Sequence, residues 1–181
     1  MSKANYSISV SASTRDAVQN SIGLLVSILV RYPEVATCKL SPADGCIRFT
    51  YILRGSIDQE VKETFSSFLT TSIAAFHHLQ SISVNESTLN FAEYGQFSLL
   101  EVKRDFSSLT RQEIALISTL VAIHFKDRLV LEDYSSWGEE ELDVQDEIIE
   151  NMLEDTRFEI VPKDLIGFRE NGRVLVYNKT S

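Results

Sequence analysis

Between Thr14 and Tyr32 the chain has a helix-length stretch whose middle, Ile22-Gly23-Leu24-Leu25-Val26-Ser27-Ile28-Leu29-Val30, is apolar almost all the way round. A helix with no polar face needs cover on more than one side, which assigns this segment to the core, between strands and a second helix. Ahead of it Tyr6, Ile8, Val10 and Ala12 alternate with Ser7, Ser9 and Ser11, the period of a half-buried strand over residues 6–12. Ser13 or Thr14 offers an N-cap, Asp16 suits the opening turn, and Pro33 lies just past the far end.

Residues 34–41 and 45–53 read as a hairpin turned by Pro42-Ala43-Asp44-Gly45. With Pro42 opposite Gly45, paired residue numbers sum to 87. Leu40 then meets Ile47, Cys38 meets Phe49 and Ala36 meets Tyr51 on the inner face, while Thr37, Lys39, Arg48 and Thr50 point outward. Lys39 opposite Arg48 is a like-charge pair and predicts a carboxylate or an anion nearby. A second helix is expected from about Asp58 to Leu79, on the stripe Val61, Phe65, Phe68, Leu69, Ile73, Phe76 and Leu79. Ile82 to Tyr94 and Gln96 to Asp105 read as extended, reversing at Tyr94-Gly95, with Asn85-Glu86-Ser87 as a break in the first.

The element order so far, β-α-β-β-α-β, is the ferredoxin-like arrangement, with two helices on one sheet face and the other face open. A third helix starts at Thr110, where Thr110 and Glu113 form a capping box and Leu109 and Ile114 a hydrophobic staple. Its stripe of Ile114, Ile117, Leu120, Val121 and His124 runs to about Lys126 and Arg128, and Leu129-Val130-Leu131 reads as a short strand. A further helix is expected from about Glu139 to Glu154, docked by Leu142, Ile149, Met152 and Leu153. Phe158 to Val161 reads as extended, and Leu165 to Glu170 with Arg173 to Asn178 form a hairpin closed by Asn171-Gly172. The expected fold is therefore α+β: a ferredoxin-like unit over residues 1–106, then a helical, acidic extension over residues 107–181 that ends in a hairpin and packs on the first as one compact body.

Charge changes this picture in one half only. Residues 1–90 hold seven acids and seven bases, residues 91–181 nineteen acids and ten bases, so the net charge of −9 lies entirely in the second half. That balance argues against a nonspecific grip on nucleic acid or anionic lipid. No apolar run reaches the ~18 to 20 residues of a membrane span. The N-terminal Met1-Ser2-Lys3-Ala4-Asn5 leads into a strand pattern rather than an apolar block, which predicts a cytoplasmic location.

Candidate chemistry is sparse. His77, His78, His124, Cys38 and Cys46 are ligand types without ligand spacing, and the two cysteines fall on opposite sheet faces, so neither a metal site nor a disulfide nor a cofactor is expected. No nucleophile elbow, P-loop, dinucleotide fingerprint or zinc-protease motif occurs. RNA-binding sheets of this element order stack bases on outward aromatics, whereas Ser7, Ser9, Ser11, Arg48 and Thr50 occupy those positions, and direct nucleic-acid binding is not expected. Lys39 and Arg48 are the candidate anion contacts.

The feature that needs a partner is the acid run. Eleven acids and no Lys or Arg lie between Glu132 and Asp155, and like charges one helical turn apart cost a few tenths of a kcal/mol each. The expected interaction surface comprises Glu132, Asp133, Trp137, Glu139, Glu140, Glu141, Asp143, Asp146, Glu147 and Glu150. The expected function is that of a non-catalytic regulatory or adaptor protein presenting this surface to a basic protein partner, and an open sheet face or edge offers a route to self-association. The competing class is a small-molecule-binding or metal-dependent enzyme with a site between the sheet face and the acidic half.

Overall fold

The all-apolar stretch forms α1 (Ala12–Arg31), and it is covered from two sides, by the helix Glu139–Phe158 and by the strands Thr37–Ser41, Leu165–Glu170 and Arg173–Asn178, as its composition demands. The computed structural model describes residues 12–132, 138–158 and 163–178. Leu24, Leu25, Ile28 and Leu29 are fully buried, each contributing about 1.5–3 kcal/mol of transfer free energy. The helix begins at Ala12 rather than after a cap at Ser13 or Thr14, so Asp16 falls beyond its first turn. The rest of the strand expected over residues 6–12 lies outside the described residues.

The hairpin that follows has the expected register. β1 (Thr37–Ser41) pairs with β2 (Cys46–Arg54), with Cys38 opposite Phe49, Lys39 opposite Arg48 and Leu40 opposite Ile47. Cys38, Leu40, Ile47, Phe49 and Tyr51 are buried on the inner face. α2 (Gln59–Gln80) then leads to β3 (Ser87–Tyr94), β4 (Phe97–Asp105), α3 (Arg111–His124), α4 (Glu139–Phe158), β5 (Leu165–Glu170) and β6 (Arg173–Asn178). α4 continues through Phe158, against the extended reading of that residue, and residues 159–161 lie outside the described residues. Leu129 to Leu131 makes a single bridge, Leu53 with Leu129, rather than a strand. α3 stops at His124, short of the Lys126 to Arg128 end expected for it.

The protein is mixed helix and antiparallel sheet, and the six strands run in the order β3-β4-β2-β1-β5-β6. This is not the ferredoxin-like order, in which a strand preceding α1 would lie beside residues 46–54. Both edges of β2 are taken, one by β1 and the other by β4 along its full length. The physical reason is local: the turn at Tyr94-Gly95, with Gly95 at φ 61°, closes β3 and β4 into their own hairpin, which docks on β2 as a unit. At the other side the β5–β6 hairpin joins β1, so strands from both sides of residue 106 share one sheet.

Among the described residues every helix lies on one face of this sheet. α1 covers β1, β5 and β6, α2 approaches β3, and α4 packs on α1 and α3. Two glycines set the approach distances. A Cβ on Gly23 would stand 2.7 Å from Met152 Cε of α4, and one on Gly167 would stand 2.9 Å from Leu29 Cδ1 of α1. Arg169, on the inner face of β5, caps the C-terminal end of α1: it donates to the carbonyls of Leu29 (3.1 Å), Tyr32 (2.8 Å), Pro33 (3.3 Å) and Val35 (2.7 Å). These include carbonyls that a helix end leaves without intrahelical donors. α2 packs more shallowly than its sequence suggests. Phe65, Leu69, Ile73 and His77 are its buried line, whereas Phe68 and Leu79 are 47% and 80% exposed.

Candidate functional site

α4 carries the acid run as a helix with two different flanks. Ile149 and Leu153 are buried, Leu142 and Met152 are half-buried, and together they dock the helix against α1 and α3. At 100° per residue Glu139, Asp143, Glu147, Glu150 and Glu154 share one stripe beside that apolar line, and all five are exposed. Glu140 and Glu141 are exposed in the first turn, where Glu141 accepts the Gly138 N–H at 2.6 Å. Carboxylates there also favour the helix dipole. Glu132 is exposed just before the helix, and Asp133 and Trp137 lie outside the described residues.

Two of the expected surface acids are spent within the chain. Asp146 binds Arg31 of α1 through both carboxylate oxygens, at 2.8 and 3.2 Å, and stands 3.5 Å from Arg111 of α3. Glu150 accepts from Arg111 at 3.1 Å and from Gln112 at 3.3 Å. Among the described residues the bases that meet the acidic helix come from α1 and α3, and the outward sheet bases Lys39 and Arg48 pair elsewhere. The reason is layering: α4 rides on the helices, and among the described residues no helix covers the other sheet face. Among the described residues α4 and that face line no common groove.

The candidate anion contacts are likewise occupied by carboxylates. Lys39 lies 3.6 Å from Asp164, and Arg48 lies 3.1 Å from Asp44 and 3.8 Å from Glu101. Strand pairing explains this, since Glu101 stands opposite Thr50 and beside Arg48 on the outer face. The predicted carboxylate near the Lys39–Arg48 pair is present on both sides of it.

The most elaborate polar chemistry lies where the sequence drew least attention. Arg104 of β4 is fully buried and bonded on every side. Its Nε and Nη2 grip the Glu113 carboxylate, its Nη1 donates to Asp105 Oδ1 and to the Glu86 carbonyl (2.6 Å), and its Nη2 also donates to Ser108 Oγ (3.0 Å). His77 Nε2 at the end of α2 stands 2.8 Å from Glu113 Oε2. Thr110 caps α3 as expected, accepting the Glu113 N–H at 3.2 Å, but the Glu113 carboxylate turns inward to Arg104 instead of completing the box. Burial opposes ionisation of Asp105, yet hydrogen bonds from Ser107, Ser108, the Glu86 amide and Arg104 outweigh it and hold the carboxyl well below the usual carboxylate range. The same acids raise the Arg104 guanidinium further, although burial opposes its charge. The cluster ties the ends of α2, β4 and α3 together, and its members Glu86, Asp105 and Ser107 also line a groove of about 570 Å³.

One sequence signal could have found it. In β4, Leu100 and Val102 point inward, and Arg104 is next in the same phase; in β5, Leu165 and Gly167 are followed by Arg169. An arginine in the inward phase of a strand requires buried acceptors. Among the histidines, His77 belongs to the cluster, His78 is exposed, and His124 lines a groove of about 450 Å³ with Val61, Ile123 and Lys126, its ring 4.7 Å from those of Phe65 and Phe125. Cys38 and Cys46 are both free and sit on opposite sheet faces. Among the described residues no group of three or more His, Cys, Asp or Glu is placed to hold a metal ion, and no helix is long and apolar enough to cross a membrane. No protein family, curated protein or solved structure matches this chain.

Proposed function

We propose that the protein is a non-catalytic regulatory or adaptor protein of the cytoplasm that binds a basic protein partner along the exposed acidic stripe of α4, and that its open sheet also engages a second copy. The observation that carries the partner reading is the division of labour on α4. Asp146 and Glu150 have bases within the chain, while Glu139, Asp143, Glu147 and Glu154 project from a helix whose only described neighbours lie on its other flank. A lysine- or arginine-rich surface would relieve their mutual repulsion and give an association that weakens with salt.

The test replaces Asp143 by Asn and Glu147 and Glu154 by Gln, leaving the first-turn acids in place because they stabilise the helix start. Proteins captured from the native host by the wild type are purified and their affinities measured against both forms at low and moderate salt. The proposal expects a salt-sensitive partner that the triple variant binds about tenfold or more weakly, since three charge pairs of a few tenths to 1 kcal/mol are lost. Equal affinity for both forms at low salt would overturn it.

A further inference from the structure

The two edges of the sheet differ in how they are protected. On β3 the inward position nearest the turn is Glu93, opposite Ser98 and paired with Lys62 of α2 at 2.9 Å. An inward-pointing charge is one of the ways an edge strand discourages another chain from pairing with it. β6 has no such device. Its middle, Val174-Leu175-Val176, is half-buried, Arg173 is the only charge on the strand, and among the described residues no strand lies beyond it.

The free hydrogen-bonding groups of that edge follow from the turn. Asn171 and Gly172, at φ 51° and 71°, form a two-residue turn of the kind in which the flanking pair, Glu170 and Arg173, exchanges hydrogen bonds. Alternation then turns the N–H and C=O of Arg173, Leu175 and Tyr177 toward β5 and those of Val174 and Val176 toward the open edge. Val174 and Val176 also lie on the helix side of the sheet, opposite Arg169 and Gly167, while Leu175 and Tyr177 face outward. Tyr177 stacks on Phe168, with ring centroids 5.5 Å apart and planes 13° from parallel.

We infer that β6 pairs with β6 of a second copy, antiparallel and centred on Leu175, to make one continuous sheet across a two-fold axis. This deepens the self-association in the proposed function and is independent of the acidic stripe. The register is chosen by the strand's own side chains. Centred on Leu175, Val174 of each copy exchanges hydrogen bonds with Val176 of the other, and the two Leu175 side chains meet on the outer face. Arg173 arrives opposite Tyr177 of the other copy, where the Phe168–Tyr177 stack presents an aromatic face to a guanidinium. No like charges face each other, and a closed two-fold pairing consumes the edge.

Leu175 would form a non-hydrogen-bonded pair with its own copy, with Cα atoms about 4.5 Å apart, within the range that a disulfide spans. Mild oxidation of Leu175→Cys should therefore yield a covalent dimer. Tyr177→Cys, at a more exposed position, should not, because in this register the two introduced thiols would lie four strand positions apart. The native thiols do not interfere, since Cys38 and Cys46 are buried. In sedimentation experiments Val176→Pro, which deletes an N–H pointing off the edge, and Leu175→Lys, which places like charges on the axis, should each weaken the dimer about tenfold or more while circular dichroism stays native. A dimer that survives both substitutions, or that cross-links as readily through Tyr177→Cys, overturns this pairing and leaves self-association elsewhere standing. A wild type that stays monomeric at every accessible concentration overturns both, and neither result bears on the acidic stripe.

Discussion

The Arg104 cluster and the acidic flank of α4 are built from the same kinds of residue and obey opposite rules. Around Arg104 each charge is removed from water and held by fixed partners, so loss of one member strands the others in a medium that cannot solvate them. Along α4 the carboxylates keep their water, and their neighbours act through a screened medium where a pair is worth ~0–1 kcal/mol. The contrast shows that charge count alone says little about where charge matters. The four-residue grouping of Arg104, Asp105, Glu113 and His77 constrains the fold more than the run of eleven acids does.

The largest expected effect comes from breaking the buried cluster. Glu113→Gln should destabilise the protein by about 3–5 kcal/mol in urea unfolding, since Arg104 would keep its charge and lose its bidentate partner. A loss under 1 kcal/mol would show that water reaches Arg104. Asp105 adds a pH signature. Its folded-state pKa is depressed, so its contribution is fully present above the unfolded value of ~3.9 and is lost as the pH falls below that value toward the folded pKa. Unfolding free energies measured from neutral pH to about pH 2 should fall less steeply for Asp105→Asn than for the wild type in the acid part of that range, with equal slopes near neutrality.

Arg169 gives a half-buried charge that donates to the main-chain carbonyls at the end of α1. Arg169→Met should cost about 1.5–3 kcal/mol, the range for hydrogen bonds to a charged group. It should also speed amide exchange at the C-terminal turn of α1. A cost as large as that of Glu113→Gln would show that Arg169 does more than cap these carbonyls.

Asp146 stands between the two extremes, partly exposed and shared by Arg31 and Arg111. Asp146→Asn should cost about 1 kcal/mol, and raised salt should narrow its difference from the wild type. The smallest effect belongs to the outer stripe. The variant with Asp143→Asn, Glu147→Gln and Glu154→Gln should stay within about 0.5 kcal/mol of wild type, shifted toward stability by relief of like-charge repulsion. A substantial loss would place those acids in contacts within the protein and remove the argument for a partner.

Short-range features were legible because the residues that specify them are adjacent in the chain. The turn Pro42-Ala43-Asp44-Gly45 with strict alternation on both sides left one register that buried Cys38, Leu40, Ile47 and Phe49 together, and that register is present. Asn171-Gly172 likewise specified the last hairpin, and Thr110 the start of α3. The apolar stripe of α4 told which side would dock, and the unbroken acids beside it told which side would stay wet.

What the sequence by itself determined, then, was each hairpin, each helix within a few residues, and the two-sided burial of α1. Only the tertiary structure decided how the three hairpins line up, because a strand's hydrophobic period says which face it buries and nothing about which neighbour lies along its edge. That is why the order β3-β4-β2-β1-β5-β6 could not be read from the succession of elements. The same holds for Arg104, Glu113 and His77. Each is an ordinary polar residue in its own segment, and they become a buried ion cluster only when the ends of α2, β4 and α3 are brought to one place, where excluding water leaves them no partners but each other.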